Sequence, residues 1–323
     1  MNLNVDRTCV DPITKMPLSL ESEGLVSESG AIYPIVRGIP RFVSGDNYAA
    51  AFGIQWNEFP RTQLDSFVGA PISESRLARV LGAPLSVLNG ALVLEAGSGA
   101  GRFTEVLLKY NAVVHSFDFS MAVEANAKNN GANDNLTLVQ GNILSPPFPE
   151  SRYDFVICLG VVQHTPNSEQ TIDALWQMVR PGGTLLFDHY DWGLLHLTTA
   201  VPWYRAVIKR LPKRLQRPVT DSIVSSLFPL HWRFKDSKWA QRVLRRISPV
   251  HFYYPHLGLS SKTAYYDWAR LDTHDATTDH YKHRRSAAQI RRTLEKLGAT
   301  DIDVRVERLH GNGIETKCRK PEK

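Results

Sequence analysis

Three sets of residues stand at spacings that could do chemistry. The first is a glycine triplet, Gly97, Gly99 and Gly101, within ALVLEAGSGAGRFT at 91 to 104. Glycine there permits positive φ and lets a ligand approach the backbone where a β-carbon would intrude. The second is a pair of acids, Glu95 just ahead of the triplet and Asp118 about 20 residues beyond it, where an ionised carboxylate can grip both hydroxyls of a ribose. The third is a group that could move a proton: His164 in CLGVVQHTPN, with His189 and Tyr190 in FDHYDWGLLHL. An unperturbed imidazole, titrating near about 6.5, suits that task. The glycine spacing is G-x-G-x-G, with Arg102 where a dinucleotide fingerprint would place its last glycine, and no phosphate-loop lysine follows.

These residues need elements to hold them. Residues 91 to 96 form a short apolar strand and 102 to 110 an amphipathic helix. Strand then alternates with helix: strand at 112 to 117, helix at 120 to 129, strands at 136 to 140 and 153 to 159, helix at 168 to 178, strand at 183 to 189. Such alternation implies a parallel sheet with right-handed crossovers and a ligand at the carboxyl ends of its strands. The segments TDIDVRVER and GIETKCRK, around His310-Gly311-Asn312-Gly313, read as a closing antiparallel hairpin.

The series Glu95-x-Gly97-x-Gly99-x-Gly101, Asp118, QGNI at 140 to 143, FVICLGVVQHTPN and LWQMVRPGGTLLF resembles the class I methyltransferase family in order and spacing, densely over residues 88 to 190. The resemblance implies an α/β, Rossmann-like seven-stranded sheet with its last strand antiparallel. It also implies a small N-terminal β-rich appendage and a helical insertion before the last two strands. S-adenosyl-L-methionine is the implied cofactor. Amides from Gly97 through Ser98 and Gly99 to Gly101 would meet its carboxylate, Glu95 its amine and Asp118 its ribose. Phe119 would flank the adenine, Asn142 with the amide of Ile143 would read its edge, and Leu159 and Gly160 would pass beneath the sulfonium. Many relatives carry Asp where Asn142 stands. His164 would take a proton from the acceptor or, on the plainer reading, bond to loop backbone; His189 and Tyr190 are further catalytic candidates. Asp191 and Trp192 follow them at the same end of the sheet, as second-tier candidates.

Four regions are expected. Residues 1 to 45 resemble, through YPIVRGIPRFV, the end of a zinc-ribbon-derived domain. Cys9 stands alone there and position 12 is Pro, so a remnant without metal is expected, a packing block in preference to a recognition module. Residues 46 to 192 are the cofactor-binding core; Trp56, Phe59 and Phe67 read as core residues, while Gln55, Arg61 and Gln63 are polar exceptions. Residues 193 to 270 are a helical basic insertion or lid, with WYRAVIKRL and SKWAQRVLRRI helical and Pro212, Pro218, Pro229 and Pro249 as breaks. Residues 271 to 323 end the core. Within LDTHDATTDHYKHRRS, Asp272 and Tyr281 read as loop anchors and His274 or His283 as residues entering the pocket. Asp272, His274, His280, Tyr281 and His283 are not taken as a metal site, since no coordination geometry follows from their spacing.

The net charge of +6 is local in origin. Between Trp203 and Arg246 twelve basic residues face only Asp221 and Asp236, so the remainder is mildly acidic. A basic amphipathic helix suits an anionic surface or a phosphorylated substrate, and a solvated face is the plainer reading. No apolar run is long enough for a transmembrane segment. The N-terminus lacks a signal-peptide pattern, and Cys9, Cys158 and Cys318 are too scattered for a disulfide framework. A cytoplasmic protein, with peripheral membrane placement as an option, is therefore expected. The leading expectation is an S-adenosylmethionine-dependent methyltransferase acting on a small-molecule acceptor, a glycan precursor or secondary metabolite, with O-methylation preferred. RNA methylation is the second reading; an absent NPPY-type signature and stacked-aromatic reader argue against nucleic acid. A non-catalytic scaffold of the same fold is the third.

Overall fold

The computed structural model describes residues 8 to 45, 47 to 192, 198 to 307 and 313 to 322. The chain divides into two compact units: residues 1 to 60, 73 to 191 and 281 to 323 form one, and residues 61 to 72 with 192 to 280 the other.

The first unit carries the sheet. Five short strands open it, β1 (Ser19–Glu21), β2 (Gly24–Val26), β3 (Ile32–Tyr33), β4 (Ile35–Val36) and β5 (Ile39–Pro40). β2 and β3 pair antiparallel, as the flanking turn residues suggest. The main strands are β6 (Leu92–Ala96), β7 (Val113–Asp118), β8 (Leu136–Gln140), β9 (Tyr153–Cys158), β10 (Val179–Tyr190), β11 (Thr300–Glu307) and β12 (Gly313–Arg319). Their order is β11-β12-β10-β9-β6-β7-β8. The five from β8 to β10 run parallel, while β12 is antiparallel to both β10 and β11. The hairpin expected from the last two segments is present, although its turn at 308 to 312 lies outside the described residues.

Burial on both faces explains why the central strands are largely apolar. Leu94, Val156, Leu185 and Phe187 pack on one face with Ile172, Leu175, Trp176, Ile290 and Leu294. Their neighbours Val93, Ile157 and Leu186 pack on the other with Leu77, Val80, Leu81, Phe103, Val106 and Leu107. Each fully buried Leu, Val or Phe contributes about 2 kcal/mol before entropy is counted. Because the strands are parallel, the ends at Ala96, Asp118, Cys158 and Tyr190 lie along one edge.

The N-terminal strands are not set apart at residue 45. Cys9, Leu18 and Leu25 join the main core, with Tyr33, Ile35 and Phe42 packed against it. The Phe42 N–H donates to the Gln140 carbonyl at 2.9 Å, at the end of β8. Asp11 ties the first turn: one carboxylate oxygen accepts the amides of Ile13 and Thr14, each at 2.8 Å, and the other accepts the Tyr33 hydroxyl.

The second unit is helical, with Val201–Ile208, Lys213–Arg233, Lys238–Ile247 and Lys262–Thr278 around Val224, Phe228, Val250, Phe252, Tyr265 and Trp268. Three expectations are corrected. Pro218 and Pro229 do not break the chain but lie inside the helix Lys213–Arg233. An interior proline costs about 3 kcal/mol; burial of Val224 and Phe228 between them acts against that cost. The boundary expected at 270 falls inside the helix Lys262–Thr278, so Asp272 and His274 are helical, not loop. Residues 61 to 72, expected in the core, belong to this second unit.

Candidate cofactor and acceptor site

At the end of β6 the chain turns through Gly97, Gly99 and Gly101, with φ of 79°, 55° and 88°. All three lie in the left-handed region, where a side chain is strained. The space above them is already used: a β-carbon on Gly97 would stand 2.4 Å from Val161, and one on Gly101 2.2 Å from Asn126 Oδ1. One on Gly99 would lie 3.2 Å from the indole nitrogen of Trp56. The helix Arg102–Lys109 then starts from Gly101.

Glu95 is buried beneath this turn on β6. Its Oε2 accepts the Thr104 hydroxyl at 2.5 Å and the Ser116 hydroxyl at 2.9 Å. Asn126 donates to Thr104 in turn, and Asn130 to Asn126, each at 2.9 Å. Burial pushes Glu95 up to about 7, against the two hydroxyl bonds. Glu95 Oε1 and Ser98 Oγ are buried without a hydrogen-bond partner. Two such polar atoms flanking a glycine turn fit a ligand carrying an amine and a carboxylate, since an unpaired buried acceptor costs about 1–3 kcal/mol.

Asp118 ends β7 beside it. Its Oδ2 accepts the Gly99 amide at 2.9 Å, and Oδ1 accepts the amide and hydroxyl of Ser120 at 2.8 and 2.7 Å. Burial raises its pKa against those three bonds. The carboxylate is thus oriented by the very turn it faces, and Oδ2 retains one lone pair for a ligand hydroxyl. Phe119 packs on Tyr48, with ring centroids 4.8 Å apart. Asn142 Oδ1 accepts the Leu144 amide at 3.0 Å, so this oxygen is shared with the turn. Ile143 and Leu159 are buried. The Gly160 N–H donates to Asp188 Oδ1 at 2.6 Å, and Asp188 Oδ2 is paired with Arg76. Glu315 on β12 lies 4.0 Å from Arg76 and takes two bonds from Arg79.

At the next strand ends, His164 is held from both sides. Its Nδ1–H donates to the Tyr281 carbonyl at 3.1 Å, and the Tyr190 hydroxyl donates to Nε2 at 3.2 Å. Phe52 meets the imidazole edge-on at 5.5 Å, and Tyr48 meets Tyr281 at 5.3 Å. Lys282 and Arg284 lie over the Tyr190 ring at 5.1 and 5.7 Å. His283 stacks on Tyr281, and its Nε2 is buried without a partner. The fully buried side chain of Gln163 likewise leaves its amide oxygen and nitrogen unpartnered.

His189 is placed differently from its neighbours. It is wholly enclosed, its Nε2 accepts the Ser168 hydroxyl at 3.1 Å, and its Nδ1–H donates to the Tyr190 carbonyl. Burial lowers its pKa to about 4, so the ring is neutral. Asp191 pairs its carbonyl with Arg284, whereas Trp192 is exposed and belongs to the second unit. Gln55 is buried. Gln63, Asp272 and His274 lie in the second unit, where Gln63 and Trp268 both donate to Asp272. Among the described residues no cluster of His, Cys, Asp or Glu is arranged to hold a metal.

Sequence reading missed Tyr48, Phe52, Gln163, Arg76, Asp188 and Glu315. Asp188 had a signal: an acid inside the apolar run LLFDHY must find a partner when buried. The others had none, because their role depends on residues far away in the chain.

The sheet order and this site define a Rossmann-like methyltransferase fold. Residues 94 to 187 match the family model described as "Methyltransferase domain". That stretch is a methyltransferase domain, of the class whose methyl donor is S-adenosylmethionine. The chain is similar to the "Ubiquinone biosynthesis O-methyltransferase" of Pseudomonas fluorescens, 28% identical over 130 residues, 39% of this chain and 56% of the relative. It is also similar to "Probable tRNA methyltransferase 9B" of Mus musculus, 32% identical over 138 residues, 38% of this chain and 28% of the relative. The magnesium protoporphyrin IX methyltransferase of Synechocystis, solved with bound SAH, aligns with a TM-score of 0.42 at 15% identity, covering 86% of this chain and 90% of that one. The chain thus spans about half the length of the first curated relatives it matches.

Proposed function

We propose that the chain transfers a methyl group from S-adenosylmethionine to an oxygen of a small-molecule acceptor. The observation that carries this is the pair of unpartnered buried atoms, Glu95 Oε1 and Ser98 Oγ, at a glycine turn of positive φ faced by Asp118. The amides of Gly97 and Ser98 donate to the Phe117 carbonyl, that of Gly99 to Asp118 and that of Gly101 to the Ser98 carbonyl, so the expected amide cradle is already used within the protein. Glu95 would hold the donor's amine, the Ser98 hydroxyl its carboxylate, and Asp118 a ribose hydroxyl. Phe119 would flank the adenine, with the remaining capacity of Asn142 and the amide of Ile143 at its edge. Leu159 and Gly160 would line the path to the reacting end. When bound, the donor supplies an electrophilic methyl on sulfonium, open to in-line attack.

His164 is assigned the acceptor's proton. The Tyr281 carbonyl fixes the hydrogen on Nδ1, leaving Nε2 as the accepting nitrogen. The Tyr190 hydroxyl bonds to that nitrogen, at the place an acceptor hydroxyl would occupy. Tyr190 is the second member of the pair, and His189, enclosed with both nitrogens bonded, has no part in it. Oxygen is favoured as the attacked atom because a neutral imidazole can relieve a hydroxyl of its proton. The name of the Pseudomonas relative agrees with that choice.

On the same reading residues 1 to 45 are a zinc-ribbon-derived remnant in which Asp11, through Ile13, Thr14 and Tyr33, does the tying a metal would do. RNA methylation is the competing activity, favoured by the name of the mouse relative and by the basic helices.

The test is mass spectrometry of labelled-methyl transfer to the small-molecule and RNA fractions of an extract, with calorimetry of donor binding. Label on a small molecule, and its loss in Asp118→Ala, are expected. Label confined to RNA would replace the acceptor class, and absence of donor binding would leave only a scaffold.

A further inference from the structure

We infer that the helices Val201–Ile208 and Lys238–Ile247 form a face that docks on an anionic phospholipid bilayer. In Lys238–Ile247, capped by Ser237, only Leu244 is fully buried. Trp239, Val243 and Ile247 recur at every fourth residue, so they form one stripe, and they are 72, 39 and 61% exposed. Lys238, Arg242 and Arg246 repeat at the same interval one position earlier, a cationic stripe alongside the apolar one, also exposed. In Val201–Ile208, Trp203 and Val207 are again four apart, 75 and 62% exposed, while Ile208 is buried. Two hydrogen bonds join the helices: Ala200 N–H to the Arg245 carbonyl at 3.0 Å, and the Tyr204 hydroxyl to the Ile247 carbonyl at 3.3 Å.

Single exposed apolar residues are ordinary, but five large ones on two hydrogen-bonded helices, two of them tryptophan, are not. Indole favours the boundary between headgroup and acyl chain, where its ring is apolar and its N–H is wet. Arginine and lysine beside it reach the phosphates while their stems lie along the apolar face. Charge complementarity selects an anionic partner: twelve basic residues lie between Trp203 and Arg246 against two acids. A second copy of the chain would set these cations against their equivalents. RNA would stack on the tryptophans but gain nothing from Val207, Val243 and Ile247. No helix among the described residues is long and apolar enough to cross a membrane, so the face lies on the bilayer.

The test sediments the full chain with vesicles of phosphatidylcholine alone and of phosphatidylcholine with phosphatidylglycerol, and follows tryptophan emission. It reads membrane binding without reference to methyl transfer. Binding to the anionic vesicles only, with blue-shifted emission that high salt reverses, is expected. R242Q/R246Q should bind about thirtyfold more weakly, at roughly 1 kcal/mol per lost cation. W203S/W239S should lose partition and the blue shift with an unchanged circular dichroism spectrum, which separates lost docking from lost folding. Equal binding to neutral vesicles, no binding to either, or retention on single-stranded RNA with W203S/W239S still on vesicles would overturn the inference.

Discussion

The fully buried carboxylate of Asp188 accepts the backbone N–H of Gly160 at 2.6 Å, and so fixes the loop that follows β9. Arg76 holds the other oxygen of that carboxylate. Removing one partner from a buried ion pair costs about 3–5 kcal/mol, because the survivor stays buried and charged. Asp188→Asn should destabilise by nearly that amount in urea unfolding, while its amide oxygen still accepts from Gly160. R76M/D188N should recover most of the loss. Equal stability of Asp188→Asn and wild type would show that the pair carries no weight.

Gly97 and Gly101 admit no side chain. Gly101→Ala meets Asn126 and Asn130 at a φ of 88°, and a strained left-handed residue costs about 1–2 kcal/mol before any clash. Gly97→Ala is expected to lower donor affinity at least about tenfold by displacing Val161, at 1.4 kcal/mol per decade. Calorimetry of the demethylated product decides it; unchanged affinity would remove the turn from the binding site.

Glu95 couples pH to both stability and binding. Its folded pKa is raised from 4.5 to about 7, so its favourable contribution is present below about 4.5 and lost as pH rises through about 7. The loss is on the order of 3 kcal/mol. A cationic amine prefers the ionised acid, so donor affinity should climb through the same window. Glu95→Gln should stabilise the free protein at alkaline pH and flatten the affinity profile. An unaltered profile in that variant would assign the pH dependence elsewhere.

Four buried histidines act in the opposite sense, among them His231, which burial lowers from 6.5. His115, His189 and His274 are each lowered from 6.5 to about 4 by burial. Their contribution is present above about 6.5 and lost as pH falls toward 4, since the unfolded chain takes up protons the folded one refuses. The slope of unfolding free energy against pH should therefore be positive between about 4 and 6.5, offset in part by Glu95 and Asp118, whose pKa values burial raises. His189→Gln should remove about one proton from it.

For the proposed chemistry, His164→Ala should lower kcat by about a hundredfold or more with donor affinity intact, the range for a lost general base. Tyr190→Phe frees Nε2 without removing the imidazole and should retain much of the rate. Unchanged turnover in His164→Ala would make His164 a tether of the 281 carbonyl and nothing more.

The sheet was legible because its signals are local. β6 through β9 lie within a residue or two of the expected spans, since apolar runs bounded by glycine or by a polar turn admit little else. The glycine turn and Asp118 were legible for the same reason. The partners were not: Asp188 announced only that it needed one, Arg76 stands 112 residues away from it, and Arg79 lies 236 from Glu315. Pro218 and Pro229 misled because a local breaker was judged without the tertiary packing that outweighs it. His189 and Tyr190 are adjacent in sequence, but the pleat sends them to opposite environments, a core hydroxyl and a candidate base.

The meeting of Phe42 with Gln140 has a practical outcome for anyone shortening this protein. A fragment beginning after residue 45 would strip a cover from the outermost margin of β8 and remove Cys9, Leu18 and Leu25 from the main core. Bare strand margins recruit other chains, so such a fragment should come out of the cell as aggregate, however complete its catalytic half.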